Sequence, residues 1–426
     1  MTFWILLASV VLALGVLSPS SATNVRPGFP GFAPVTPTLT GVGTSNSSPP
    51  NWTELLPTSA PSPRYGAALA FDPIGNYTLL FGGAFNPFSG GYVHYGDTWI
   101  YRSGGWTNLT STLSVAPPAR KDAGVAYDAA DGYIVMFGGD TGANGSVYLN
   151  DTWVFQNMAW HQIFSSTSPS PRSGLMMTFD ARDSYVLLFG GCTATCSPTP
   201  ETWKYRAGEW SPVTTTGGSP PVRAACGLAY DANDGYVLMF GGWNVTDRFN
   251  ETWSYAGGQW TQLHPPSAPS PRLGVRMAYL PEANAVVAFG GKFLGNVYGD
   301  TWLFRGGTWT NITSLLTVAP SPRDDNEGLV YYPPASGLFM FGGQATFPGT
   351  LADTWLFTDS SASNGTTPPP TSSTNSPSSA SNFLLGVGLG AVVGATAAGI
   401  LGFMVARRYP GAGTFPKKPM SPTEFP

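Results

Sequence analysis

The chain has 426 residues, of which 53 are Gly, 40 Pro and 14 Trp, and only 10% are charged. This balance of turn formers and aromatics against helix formers excludes a helical core and suits an all-β protein, for which such length points to a repeat fold. The formal net charge of −4 describes a mildly acidic surface, so no electrostatic footprint for nucleic acid exists.

Residues 1–22 read as a signal peptide. Residues 3–17 are an apolar run, and Ser20-Ser21-Ala22 supplies the small residues a signal peptidase requires, so cleavage is expected after Ala22; the alternative is an uncleaved N-terminal anchor. Residues 23–50 are a Pro/Gly/Ser-rich leader too poor in apolar side chains to bury a core.

Residues 51–357 carry an internal repeat. Phe-Gly-Gly begins at Phe81, Phe137, Phe189, Phe240, Phe289 and Phe341, at intervals of 56, 52, 51, 49 and 52 residues. A period near 50 is that of one propeller blade. An Arg precedes each copy (Arg64, Arg120, Arg172, Arg223, Arg272, Arg323), and an acidic-Thr-Trp element follows it, as in Asp97-Thr98-Trp99 and Glu201-Thr202-Trp203. A second Trp closes five of the repeats, at Trp106, Trp160, Trp210, Trp260 and Trp309. These residues resemble the kelch repeat over about 52–357, and the resemblance implies a six-bladed β-propeller with four-stranded antiparallel blades.

Within one repeat, strand a opens at the Arg and ends at an aromatic-Asp such as Tyr127-Asp128. A tight hairpin then leads into the apolar strand b, Tyr133 to Phe137, which reads as buried on both faces. Gly-Gly stops strand b, strand c carries the Thr-Trp and strand d the second Trp, whose ring is expected to fill the wedge between blades. One Arg and one acid per repeat most simply pair with each other. The sixth repeat lacks its second Trp, while Asn51-Trp52-Thr53-Glu54-Leu55 stands unassigned ahead of the first Arg. The N-terminal segment should therefore supply strand d of the last blade and close the ring without an exposed edge.

Groups that could carry chemistry are few. The three His, at 94, 161 and 264, occupy different repeat positions and show no metal-ligand spacing, so neither metal nor cofactor is expected. Kelch-like galactose oxidases hold copper with two Tyr and two His beside a Tyr-Cys crosslink; no matching His pair exists, and that activity is not carried over. Some kelch-like propellers act on sialic acids; a glycan-active enzyme of oxidase or sialic-acid type is the alternative reading here, and it needs one non-repeated cluster of acids and a His at the channel mouth. No Ser-His-Asp order, P-loop or nucleotide fingerprint stands out.

The leading expectation is a cell-surface propeller that binds carbohydrate or protein. The hairpins between strands a and b are short, whereas the segments after each Phe-Gly-Gly vary in length. The candidate ligand-binding residues therefore lie in these b-to-c loops: Phe85, Phe88, Tyr92, His94, Tyr95, Trp243, Lys292, Phe293 and Tyr298. Cys192 and Cys196 are placed to close a small disulfide loop, with a bond from Cys226 to either as the alternative; otherwise Cys226 is a small packed residue near the central channel. Sequons at Asn46, Asn51, Asn76, Asn108, Asn144, Asn244, Asn311 and Asn364 are candidate glycosylation sites. Those at Asn150 and Asn250 overlap the acidic-Thr-Trp element.

Residues 358–382 form a Ser/Thr/Pro-rich stalk, and 383–406 are 24 residues without a charge, long enough to span a bilayer as a helix. Residues 407–426 follow as a short tail bearing Arg407, Arg408, Lys417 and Lys418, which the positive-inside rule puts in the cytoplasm with the propeller outside. Gly386, Gly390, Gly394, Ala398 and Gly402 make a small-residue stripe that allows close helix approach and a homodimer.

Overall fold

The computed structural model describes residues 49–361, apart from 87–91, 143–146, 194–199, 325–327 and 347–348. The signal peptide, most of the leader, the stalk beyond residue 361, the membrane segment with its stripe and the basic tail lie outside the described residues, as do Phe88, Cys196, Asn46, Asn144 and Asn364. No helix among the described residues is long and apolar enough to cross a membrane.

Six four-stranded antiparallel sheets are the six blades. The first uses Ala68–Asp72, Tyr77–Phe81, Thr98–Arg102 and Gly105–Asn108 as strands a to d, and the next four repeat the pattern. Strand b is the core strand: Ile134, Val135, Met136 and Phe137 are wholly buried, because neighbouring blades cover both faces of each sheet. The Arg does not open strand a as expected from its position; strand a of the first blade starts four residues later, at Ala68. The residue after each Arg instead bridges the residue after Phe-Gly-Gly, as in Tyr65 with Ala84 and Lys121 with Asp140. The glycines are required by close approach. Gly82 sits at φ +73°, and a Cβ there would stand 2.5 Å from the Arg120 carbonyl oxygen of the next blade.

The sixth blade joins both ends of the propeller. Asn51–Leu55 is its strand d and runs antiparallel to Thr350–Thr358, with Trp52 opposite Phe357. Two details depart from the repeat. Strand b continues through its glycines as Gly337–Gln344, because Thr350 and Leu351 extend the ladder past a bulge at Phe341/Gly343. Strand c reaches Thr358, one residue beyond the expected limit, because Thr358 pairs with Asn51. Asn51 also clamps the preceding connection: its Nδ2 donates to Thr317 Oγ1 (2.8 Å), and its Oδ1 accepts from the Val318 amide (3.0 Å).

One joint recurs between all neighbouring blades. The strand-d Trp lies against the Phe of the preceding Phe-Gly-Gly, with ring centroids 5.1 Å apart for Trp160 and Phe81 and 5.0 Å for Trp52 and Phe289. Its indole N–H donates to the Thr of the preceding acidic-Thr-Trp: Trp160 to Thr98 (3.1 Å), Trp210 to Thr152 (2.9 Å), Trp260 to Thr202 (3.0 Å) and Trp309 to Thr252 (3.0 Å). Trp52 to Thr301 (3.1 Å) and Trp106 to Thr354 (3.3 Å) complete the ring. Cys226 is a small residue buried among Phe189, Leu228 and Met239 between the third and fourth blades, and burial pushes its thiol up to about 11.

Since Trp52 makes the same joint as the internal tryptophans, Trp52→Ala should destabilise the propeller by about 3–5 kcal/mol, and Trp52→Phe, which removes mainly the hydrogen bond, by about 1 kcal/mol. Urea unfolding of both variants measures this. A loss under about 1 kcal/mol in Trp52→Ala would mean that the N-terminal strand does not hold the ring shut.

Candidate functional site

Repeated polar groups are consumed by the scaffold. Each repeat Arg pairs with the acid of its own repeat: Arg64 grips Asp97 at 2.6 and 2.9 Å, Arg120 grips Asp151 at 2.6 and 2.7 Å, and Arg323 grips Asp353 at 2.7 and 2.8 Å. Arg64 also donates to the Gly82 carbonyl (2.8 Å), and Asp97 accepts the Trp99 indole N–H (2.7 Å). Burial alone would raise the carboxyls of Asp97, Asp151, Asp300 and Asp353, but Arg and Trp hydrogen bonds outweigh it and hold all four below the ordinary range. Two expected ligand residues belong to this frame. The Arg64 guanidinium lies 4.2 Å over the Tyr95 ring, and Arg272 lies 4.2 Å over Tyr298.

What varies from blade to blade is the rim where strand a begins. The six bridging pairs there are Tyr65·Ala84, Lys121·Asp140, Ser173·Cys192, Ala224·Trp243, Leu273·Lys292 and Asp324·Gln344. Eight of these twelve residues line a central cavity of about 820 Å³, whose deeper wall is made of strand-a side chains including Leu69, Val125, Met177 and Tyr279. Lys121 is ion-paired with Asp122 and lies 3.6 Å from Asp140, and Lys292 is ion-paired with Asp324. For Lys121, burial opposes the charge, but the two carboxylates win and its pKa is raised.

Of the expected residues, Trp243 and Lys292 reach this cavity, whereas Phe85 and Phe293 sit half-buried in short rim hairpins, Ala84–Phe85 with Val93–His94 and Lys292–Phe293 with Asn296–Val297. Tyr92 is exposed. His94 Nε2 is buried without a hydrogen-bond partner among the described residues, and burial lowers its pKa, with Asp140 opposing and Lys121 adding to the shift. Sequence reasoning missed Lys121, Asp122, Asp140 and Arg248; the signal was present as polar residues where other repeats carry Ser, Ala or Leu. Cys192 is buried at the rim, and the expected loop to Cys196 falls outside the described residues.

The described sequons have local structural work. Asn108 and Asn311 each accept the amide of the sequon Thr, at 2.9 Å, and the Thr110 and Thr313 hydroxyls accept the strand-c amides of Thr98 and Thr301. Asn244 closes a turn by accepting the Asp247 amide (2.6 Å), Asn51 clamps the last connection, and Asn76 takes the left-handed φ of +53° at a hairpin tip.

Strands alternate in direction, so b-to-c loops and d-to-a connections leave one face, and a-to-b and c-to-d turns leave the other. Among the described residues, eleven large apolar side chains are exposed, and ten belong to segments that leave the first face. Tyr92, Val93, Val147, Val245 and Leu294 are in b-to-c loops; Leu56, Val115, Phe164, Leu315 and Val318 are in d-to-a connections, which reach back to the start of the next strand d, as Val318 does to Asn51. Phe164 is 83% exposed and Leu294 78%, whereas the turns of the opposite face have Ile74 alone. Single exposed apolar residues mean little by themselves.

The chain thus carries a kelch-repeat domain folded as a six-bladed β-propeller. Residues 156–327 match the KLHDC2/KLHL20/DRC7 Kelch-repeats domain. An F-box/kelch-repeat protein of Arabidopsis thaliana is 35% identical over 163 residues, which are 35% of this chain and 32% of the relative. The chain therefore spans about a third of the length of that curated relative.

The titrating groups set a stability window. Burial, then repulsion from Asp234, pushes Asp231 up to about 6, and burial raises Asp128 and Asp180. A raised carboxyl contributes stability that is complete below its unfolded pKa and lost as pH climbs through the folded value; the Arg-bound acids contribute in the opposite sense. Melting temperature should therefore fall between about pH 4 and about pH 7. Asp231→Asn, which keeps the turn acceptor, should flatten that fall; an unchanged slope in a pH series of thermal melts would exclude Asp231 as its source.

Proposed function

We propose that this propeller is a protein-docking scaffold whose partner sits on the b-to-c face, displayed outside the cell on a single membrane tether. The observation that carries the reading is that five of the eleven exposed large apolar side chains among the described residues lie in b-to-c loops, against one in the turns of the opposite face. Protein is favoured over carbohydrate because the rim's most exposed side chains are aliphatic or isolated, while the rings of Tyr95, Tyr298 and Trp243 are already covered by guanidinium groups. The kelch match and the kelch-repeat relative agree with a scaffold role. The tether rests on the charge-free residues 383–406 and the basic tail behind them.

A second reading has one observation in its favour: His94, in a rim hairpin, feels the charges of Asp140 and Asp122, which line the cavity, a start toward the acids and His that a glycan-active enzyme would need. Turnover of sialosides or galactosides by the wild type, abolished in His94→Gln, would establish it in place of the scaffold reading.

For the scaffold, partner retained in co-precipitation with the full-length protein should drop about ten-fold or more in Phe164→Ser/Val245→Ser/Leu294→Ser, with no change in Ile74→Ser on the other face. Equal effects from both faces, or none from the triple variant, would reject it; glycan-array binding by the wild type would replace protein with sugar.

A further inference from the structure

The next-to-last residue of strand a is aromatic in all six blades: Phe71, Tyr127, Phe179, Tyr230, Tyr279 and Tyr331. All six line the central cavity. They form a collar at the end away from the rim, where Pro73, Ala232, Pro281 and Pro333 of the a-to-b hairpins line the same space. Each ring is half-buried: Tyr127, Phe179 and Tyr230, for example, pack against the apolar clusters between blades and also border the cavity. Two hydroxyls are spent on the hairpins, Tyr279 donating to Asn284 Oδ1 (2.6 Å) and Tyr331 to Glu282 Oε1 (2.7 Å).

Among the described residues, no charged side chain lines this end of the cavity. Lys121, Arg248 and Lys292 are at the rim, and Arg276 opens its strand three residues before Tyr279, about 10 Å away along the chain. Behind the collar, every a-to-b hairpin but the sixth carries at least one acid, from Asp72 in the first to Glu282 in the fifth. Arg182, beside Asp183, is the one cation of these hairpins, and Arg206 and Arg305 stand at the outer c-to-d turns. Each blade's ring stands near the acids of the hairpin before it. Burial and then Asp72 raise the Tyr127 hydroxyl, and burial and then Asp180 raise that of Tyr230. The rings therefore stay neutral in a negative field.

An aromatic face attracts a cation, most strongly where water is excluded, and a cage of such rings suits an ammonium whose methyl or methylene groups touch them. An anion is repelled by the acids behind, and a neutral head forgoes the attraction. The cavity, about 820 Å³, has the size of a small-molecule site. Leu69 and Met277 continue its wall from the collar toward the rim as an aliphatic surface.

We propose that the collar binds a small organic ammonium, with its charged head among the six rings and its apolar chain along the strand-a wall. The site lies at the end of the channel opposite the docking face and does not depend on the scaffold reading.

The test is calorimetric titration of the full-length protein, at neutral pH, with hexyltrimethylammonium, hexylsulfonate and hexanol, which share a chain and differ in the charge of the head. The ammonium should bind about ten-fold or more tighter than either of the others. Its N-methyl proton resonance should move upfield on binding, because aromatic ring currents shield it. Phe71→Leu/Phe179→Leu, in protein whose thermal melt shows a folded propeller, should lose most of the preference and of the upfield movement; Phe179→Leu alone takes its place where the double variant does not fold. Tyr127→Phe/Tyr230→Phe, which keeps the rings, should retain both. Equal binding of the three probes, binding of none, a wild-type resonance that does not move upfield, a preference that survives loss of the Phe rings, or one lost with the hydroxyls alone overturns the proposal.

Discussion

The contact on which the rest depends is the indole of one blade seated on the preceding one. A twisted four-stranded sheet has no intrinsic reason to stand beside another at a fixed angle. Here a Trp ring packs on the buried Phe of the preceding sheet, and its N–H reaches the Thr beneath, as in Trp210 with Phe137 and Thr152. The ring contact supplies the burial and the hydrogen bond supplies the direction, so each joint fixes both spacing and rotation. Six such joints leave no sheet face uncovered, and a central cavity follows from their geometry.

A second lock acts inside each blade. The Arg–acid pair ties the chain just ahead of strand a to the start of strand c, while the same Arg holds the glycine carbonyl that ends strand b, as Arg120 does with Asp151 and Gly138. Such buried pairs contribute little as bare ion pairs after desolvation. Their hydrogen bonds to carbonyl and indole make the arrangement specific and hold the rim still. With the backbone fixed by repeated residues, the positions between them are free to differ, and Lys121, Trp243 and Lys292 occupy equivalent or adjacent places with unrelated chemistry.

The blade count, the strand order and the N-terminal closure were legible because each rests on a spacing or a missing partner visible along the sequence: Trp52 has no repeat of its own, and the sixth repeat has no second Trp. The joint partner of the acidic-Thr-Trp threonine was less legible, since Thr98 and Trp160 meet across 62 residues and nothing in either repeat names the other. Tyr95 and Tyr298 looked like free loop aromatics for the same reason; their cover is an Arg some 30 residues earlier that was already assigned to an acid. Sequons suffered from a double meaning. Asn-x-Thr at the end of strand d is a good acceptor sequence and also a good turn, and at Asn108 and Asn311 the turn uses both side chains. Only the placing of exposed apolar groups toward one face required the fold itself, because loops that leave opposite faces look alike in sequence.

The pairing of Asn51 with Thr358 has a mechanical consequence. Both ends of the domain lie side by side at the end of the sixth blade away from the b-to-c loops. A pull on the two ends in opposite directions would peel the closing strand one hydrogen-bonded pair at a time. A pull between the C-terminal end and a partner held on the opposite face would load strand c along its length, with Asn51–Leu55 and Gly337–Gln344 flanking it on either side. Shear of that kind must break many hydrogen bonds together, so the domain is built to resist tension along its axis and to yield only when its own ends are drawn apart.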